Sequence, residues 1–235
     1  LISLMTVRRY RLYARRTRVT LRCRPSYPGL FQTLSALRQR GIAFTGAGES
    51  LEKASKAAIA DSAAGRTALI ALTSTFDDSA RAGVQGPYLP ARPGINPMRF
   101  EQKYLLNQAH MDQLKEIADV CNVNVKNKRR LKTGYKLQES NDIFEFKDMK
   151  FCLNAQEGKI TIPSTVDLNR TIRAIEELKR DVEHVVVMFH SHEMKDDNME
   201  SIEDFVQECS HAFIDGGASL VLGGCAPAVV VRGEH

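Results

Sequence analysis

Residues 185–189 read VVVMF and run directly into His190-Ser191-His192-Glu193, a polar loop, and a helical pattern bearing Ile202, Phe205, Val206, Cys209 and Phe213. Five consecutive apolar residues, three of them β-branched, have the length and composition of a strand buried on both faces. Strand, polar loop and amphipathic helix make a βα unit; Gly216-Gly217 ends its helix and Leu220–Leu222 begins another strand. Upstream, Thr67–Leu72 (TALIAL) reads as a second buried strand. Helices alternating with strands of this kind predict an α/β architecture.

Working outward, Leu30, Phe31, Leu34 and Leu37 recur at helical spacing and Gly41 is placed to stop that helix. Ile42–Phe44 is a short apolar run, Gly46-Ala47-Gly48 follows, and Ser50 reads as the N-cap of a helix beginning at Leu51. Residues 76–97 are rich in Gly, Pro, Asp and Asn, a long excursion of the kind that is functional or mobile. Leu105, Leu106, Leu114, Ile117 and Val120 predict one long amphipathic helix. Lys126, Lys128, Arg129, Arg130 and Lys132 form a basic run, by default a solvated face. Ile143–Leu153 and Lys159–Ile162 predict two strands around Gly158, and a helix beginning near Ser164 and Asp167 turns Leu168, Ile172, Ile175 and Leu178 inward.

The 235 residues are 43% hydrophobic and 26% charged, which excludes wholesale disorder. No apolar run approaches the roughly 18–20 residues of a membrane span. The formal charge of +5 invites a nucleic-acid reading, but residues 1–24 hold eight arginines and no acid, while the remainder has 25 basic against 28 acidic residues. The basic balance therefore belongs to the head alone. That head lacks the apolar core and cleavage site of a secretory signal. It reads as a poorly ordered terminus, or as a basic arm for an anionic partner. Cysteines at 23, 121, 152, 209 and 225 show no CxxC pair, so neither a disulfide scaffold nor a structural zinc site is expected.

In open α/β sheets, ligands gather at the carboxyl ends of strands. His190 and His192 sit there, two apart in extended chain, with Glu193 beside them and Asp196 and Asp197 in the same loop. Imidazole with carboxylate suits zinc, manganese or iron. A satisfied surface histidine pair has the same pattern. Gly223 and Gly224, at the next strand end, let a backbone approach a ligand closely, and Cys225 follows as the one cysteine near other chemistry. Gly46 and Gly48 could cradle an anion before the following helix, turn geometry being the plainer explanation. Neither a dinucleotide fingerprint, a P-loop lysine nor a GxSxG is present.

GLFQTLSALRQRGIAFTGAGESLEKA, ALIALTST, NPMRFEQKYLL, and VVVMFHSHEM followed by FIDGGASLVLGG, in this order, resemble the CapA family of capsule-synthesis or poly-γ-glutamate biosynthesis proteins. That family is related to calcineurin-like metallophosphoesterases. The resemblance runs from about Gly29 to Gly233. It implies a layered sandwich of mixed sheets flanked by helices, a divalent metal (Mn, Zn or Fe) at the strand ends, and an anionic polymer or phosphoester substrate. No specific nucleic-acid recognition is expected. His190 matches the histidine closing a family metal loop, Glu193 lies where an acid is frequent, and His192 recurs in some members.

The departures are as informative. Where the family has Asn-His followed by Asp-Tyr-Gly, this chain reads TLRCRPSYPGL with only Tyr27 in place, and where it has Gly-His-x-Pro-His, this chain reads GGCAPAVVVRG. The expectation is an Arg-rich head at 1–24 and a partial, two-end-truncated domain at 25–235, derived from a metal-dependent hydrolase and incomplete or degenerate. The competing expectation is a non-catalytic module gripping a polyanion through the head and the 126–132 run.

Overall fold

Why the two apolar runs become central strands is visible in how they alternate. In the computed structural model they are β6 (Gly65–Thr73) and β12 (His184–His190), parallel neighbours in register from Thr67 against His184 to Thr73 against His190. The structure describes residues 2–8, 11–17, 27–63, 65–137, 140, 142–197, 201–223 and 230–232, with only the backbone described in 2–8, 11–17 and 230–232. These residues divide into two compact units, 1–99 with 163–235, and 100–162. The sequence reading draws no such boundary.

In the larger unit, β5 (Ala58–Ser62), β6, β12, β13 (Leu220–Gly223) and β14 (Val230–Arg232) form a mixed five-stranded sheet, order β14-β13-β12-β6-β5. β6, β12 and β13 are parallel, while β5 and β14 are antiparallel edges. Successive strand residues point to opposite faces. Val185, Val187 and Phe189 are buried on one side, with Phe189 edge-on to Phe205 and Phe213 of α6 (Asp204–Asp215), ring centroids 6.2 and 6.3 Å apart. Each such aromatic pair adds about 0.5–1.5 kcal/mol beyond burial itself. Val186 and Met188 pack on the other face with Leu69, Ala71 and Ala43.

Ala43 belongs to β3 (Ala43–Thr45), an edge of a second, antiparallel sheet with β1 (Ile2–Arg8) and β2 (Arg11–Thr17), order β2-β1-β3. Its neighbour Phe44 points the other way, into a cluster with Leu30, Leu34 and Leu37 of α1 (Tyr27–Gln39). Helix, sheet, sheet, helix is the resulting layering, the mixed-sheet sandwich the sequence predicts. The head, given no regular structure by the sequence reading, supplies the backbone of the β1–β2 hairpin. Beside α1, β4 (Ala47–Gly48) pairs with β7 (Gly94–Ile95), α2 (Leu51–Ser55) starts at the predicted cap, where Lys53 N donates to Ser50 Oγ at 3.2 Å, and α5 (Thr165–Leu178) precedes β12.

The smaller unit corrects two expectations. Leu105 and Leu106 lie in β8 (Phe100–Leu106), because the Asn107 side chain accepts the His110 amide at 3.0 Å and starts α3 (Gln108–Val120) there. The inward stripe of α3 is Met111 and Ala118, with Ile117 and Val120 exposed. The run 143–153 is also two strands, β9 (Ile143–Phe146) and β10 (Met149–Leu153), folded back at Lys147, whose φ of 57° is left-handed. They join β8 and β11 (Gly158–Pro163) in the order β11-β8-β10-β9, and α4 (Val125–Lys132) carries the basic run.

Candidate functional site

At the carboxyl ends of β6 and β12, three chain segments meet. Ser74 N donates to His190 O at 3.0 Å, Thr73 N to Asn96 O at 3.2 Å, and Met98 N to Thr73 O at 2.8 Å. Thr73-Ser74-Thr75, Asn96-Pro97-Met98 and the 190–193 loop therefore share one strand end.

The predicted residues of that loop do come together. His190 is buried, His192 is exposed, and their rings stand 4.7 Å apart at 70°. Glu193 turns to three hydroxyls: Ser74 Oγ donates to Oε2 at 2.5 Å, Ser191 Oγ to Oε2 at 2.6 Å, and Thr75 Oγ1 to Oε1 at 3.0 Å. Thr75 Oγ1 in turn accepts the His192 amide at 2.8 Å. A carboxylate accepting several hydroxyl hydrogens is a strong fixed acceptor, and here it clasps the loop after β12 to the loop after β6. Asp196 and Asp197 are exposed farther along the loop.

Among the described residues, those at this strand end do not assemble a ligand set for a metal of the implied kind. Transition-metal sites take about three protein ligands when catalytic and four when structural. His190 and His192 offer two imidazoles, while the Glu193 oxygens already accept the hydroxyls of Ser74, Ser191 and Thr75. Among the described residues no group of three or more His, Cys, Asp or Glu could hold an ion.

Two of the glycine candidates, Gly46 and Gly48, have local structural explanations. A Cβ on Gly48 would lie 2.6 Å from Ala54 N and 2.7 Å from Lys53 C, so α2 itself requires the bare backbone. Gly46, at φ 92°, donates its N–H to Ala54 O and receives the Asn96 N–H on its own carbonyl. Gly223 ends β13 opposite Phe189, half-buried. Gly224 and Cys225 lie outside the described residues.

Sequence reasoning missed the polar support behind this strand end. Asp167, fully buried at the start of α5, receives Arg99 Nε at 2.6 Å, Arg99 Nη2 at 2.9 Å and Arg170 Nη1 at 2.5 Å. Arg170 Nη2 also donates to Pro97 O at 2.7 Å and to Asn96 Oδ1 at 3.2 Å, and Asn96 Nδ2 donates to Ala71 O at 3.0 Å. Burial alone would push the Asp167 carboxyl up; hydrogen bonds from Arg99, Arg170 and the Arg99 amide outweigh it and hold it below the usual range. The readable signal was Arg99 of NPMR, a cation directly after the turn-rich excursion that ends at Asn96-Pro97.

Comparison with known proteins adds ancestry to this geometry. The family model for the bacterial capsule synthesis protein PGA_cap matches residues 26–231. Two curated relatives, the uncharacterized proteins y4sH and y4uA of Sinorhizobium fredii (strain NBRC 101917 / NGR234), are each 26% identical over 195 residues, covering 83% of this chain. The chain spans 40% of the length of each.

Proposed function

This chain belongs to the bacterial capsule synthesis protein family PGA_cap, a metallophosphoesterase-like family, and we propose that it serves capsule or poly-γ-glutamate biosynthesis as a degenerate, non-hydrolytic member. The observation that carries this reading is the clasp on Glu193. The acid that would complete a His-His-Glu ligand set instead binds Ser74, Thr75 and Ser191. Metal-assisted phosphoester hydrolysis needs an ion held open to substrate and a second group to bear charge on the leaving oxygen. Two imidazoles from one loop supply neither. What the geometry supports is a strand end whose two loops are clasped through Glu193 and which leaves His192 exposed to a ligand.

Metal analysis of the purified chain, run beside a phosphodiester substrate screen, tests this. The expected result is sub-stoichiometric Mn, Zn and Fe with no turnover. Stoichiometric metal that disappears in His190→Ala, accompanied by hydrolysis, overturns it.

A further inference from the structure

α4 turns its charge away from the strand it packs on. Asn124 Nδ2 donates to Glu145 O at 2.5 Å, and Asn127 Nδ2 donates to Lys147 O at 3.0 Å and Glu145 Oε2 at 3.2 Å, fixing one side of the helix against β9. Lys126, Arg129 and Arg130 follow at i, i+3 and i+4, which places them together on the opposite side. Two neighbouring cations are neutralised, Lys128 by Asp119 at 2.6 Å and Lys136 by Glu145. Lys126, Arg129, Arg130 and Lys132 are exposed and have no ion pair among the described residues, and residues 120–137 contain no acid.

The same end of the unit also exposes large apolar side chains. Gly134, at φ 73°, turns the chain out of α4. Tyr135 and Leu137 beyond it are 89% and 84% exposed. Between α4 and β9 a cavity of about 200 Å³ is lined by Leu131, Leu137, Ile143 and Phe144 together with the Asn124 and Asn127 amides.

We propose that α4 and the 133–137 turn form a docking surface for an anionic lipid membrane. Lys and Arg side chains meet lipid phosphates at the surface, while Tyr and Leu favour the boundary between headgroups and acyl chains. A soluble polyanion would engage the four cations and leave Tyr135 and Leu137 in water. α4 lies on such a surface and does not cross it: among the described residues no helix is long and apolar enough to span a membrane. This inference is independent of the reading of the Glu193 loop.

Co-sedimentation of the full chain with phosphatidylcholine vesicles containing about one-third phosphatidylglycerol, against pure phosphatidylcholine, reads the interaction. Binding is expected only to the anionic vesicles, falling about ten-fold or more in the K126E/R129E/R130E triple variant with an unchanged melting transition. Y135S/L137S is expected to bind at low salt and to lose binding at a salt concentration the unmodified chain tolerates, because its remaining attraction is screened. Unchanged binding in the triple variant overturns the proposal and assigns the attraction to the Arg-rich head. Identical salt dependence of the chain and Y135S/L137S, with full competition by soluble polyglutamate, overturns it in favour of a polymer ligand.

Discussion

Arg99 grips Asp167 with two parallel donors, Nε to Oδ2 at 2.6 Å and Nη2 to Oδ1 at 2.9 Å, on a carboxylate with no exposed surface. Arg170 adds a third donor from the same helix and reaches on to Asn96 Oδ1 and Pro97 O. One buried acid thus ties α5 to the segment that lies along Thr73, and through it to the loop bearing His190.

Asp167→Asn removes the charge that two guanidinium groups share. Breaking a buried pair costs about 3–5 kcal/mol when both ions are fully desolvated. Arg99 retains 42% side-chain exposure and can rehydrate, so a loss of about 2–4 kcal/mol is expected in urea unfolding. The pH dependence follows from the depressed native pKa. The stabilisation is present above the unfolded carboxyl value of about 3.9 and is lost as pH falls through the native value. The gap between the unmodified chain and the variant should therefore stay constant from about pH 5 to 7 and close at lower pH.

Glu193→Gln tests the clasp at the strand end. The amide keeps the shape but offers one acceptor oxygen in place of two, so three hydroxyl hydrogens compete for it. A cost of about 1–2 kcal/mol is expected. Amide exchange at His192, whose N–H is held by Thr75 Oγ1 at 2.8 Å, should accelerate about ten-fold. Unaltered exchange there would mean that the backbone alone holds the loop.

The parts of this fold that are legible in sequence are those where one strong local signal acts alone. VVVMF and TALIAL lie within β12 and β6, Ser50 caps α2, and the Leu30–Leu34 spacing marks the buried side of α1. Legibility fails where two elements abut without an apolar break. Leu105 and Leu106 continue the hydrophobic pattern of α3 while belonging to β8, and only the Asn107 cap separates them. The candidate site divides in the same way. The His190–His192 pairing follows from strand periodicity, but the fate of Glu193 depends on Ser74 and Thr75, more than a hundred residues away. Asp167 was expected merely to open a helix; its burial depends on Arg99, placed there by tertiary structure.

Gly48→Ala separates a packing role from an anion cradle. The added methyl would meet the α2 backbone at 2.6 Å, which a side-chain rotation cannot relieve. Overpacking of this kind costs about 1–3 kcal/mol. Inorganic phosphate should leave the melting temperature of both the unmodified chain and the variant unchanged. A phosphate-dependent rise in the unmodified chain that vanishes in the variant would restore the cradle.

Cys209 should resist alkylation for as long as α6 stays docked. Its thiol is fully buried on the face of α6 that carries Phe205 and Phe213, and burial, aided by the charge of Glu208, pushes its pKa up to about 12. Only the thiolate attacks an alkylating reagent, so at pH 8 the native thiol at this position stays in its unreactive protonated form. Cys121, exposed just beyond α3, has no such protection. Iodoacetamide at pH 8 followed by peptide mass mapping should therefore label Cys121 in the native protein and Cys209 only above the urea concentration that unfolds the larger unit. Because Cys209 is buried one helical turn from both Phe205 and Phe213, whose rings pack on Phe189, the denaturant dependence of its labelling reports separation of α6 from β12. If Asp167→Asn weakens the whole unit cooperatively, that midpoint moves to lower urea in step with the global transition. A Cys209 midpoint that stays fixed in the variant would mean that α6 unfolds independently of the Asp167 network.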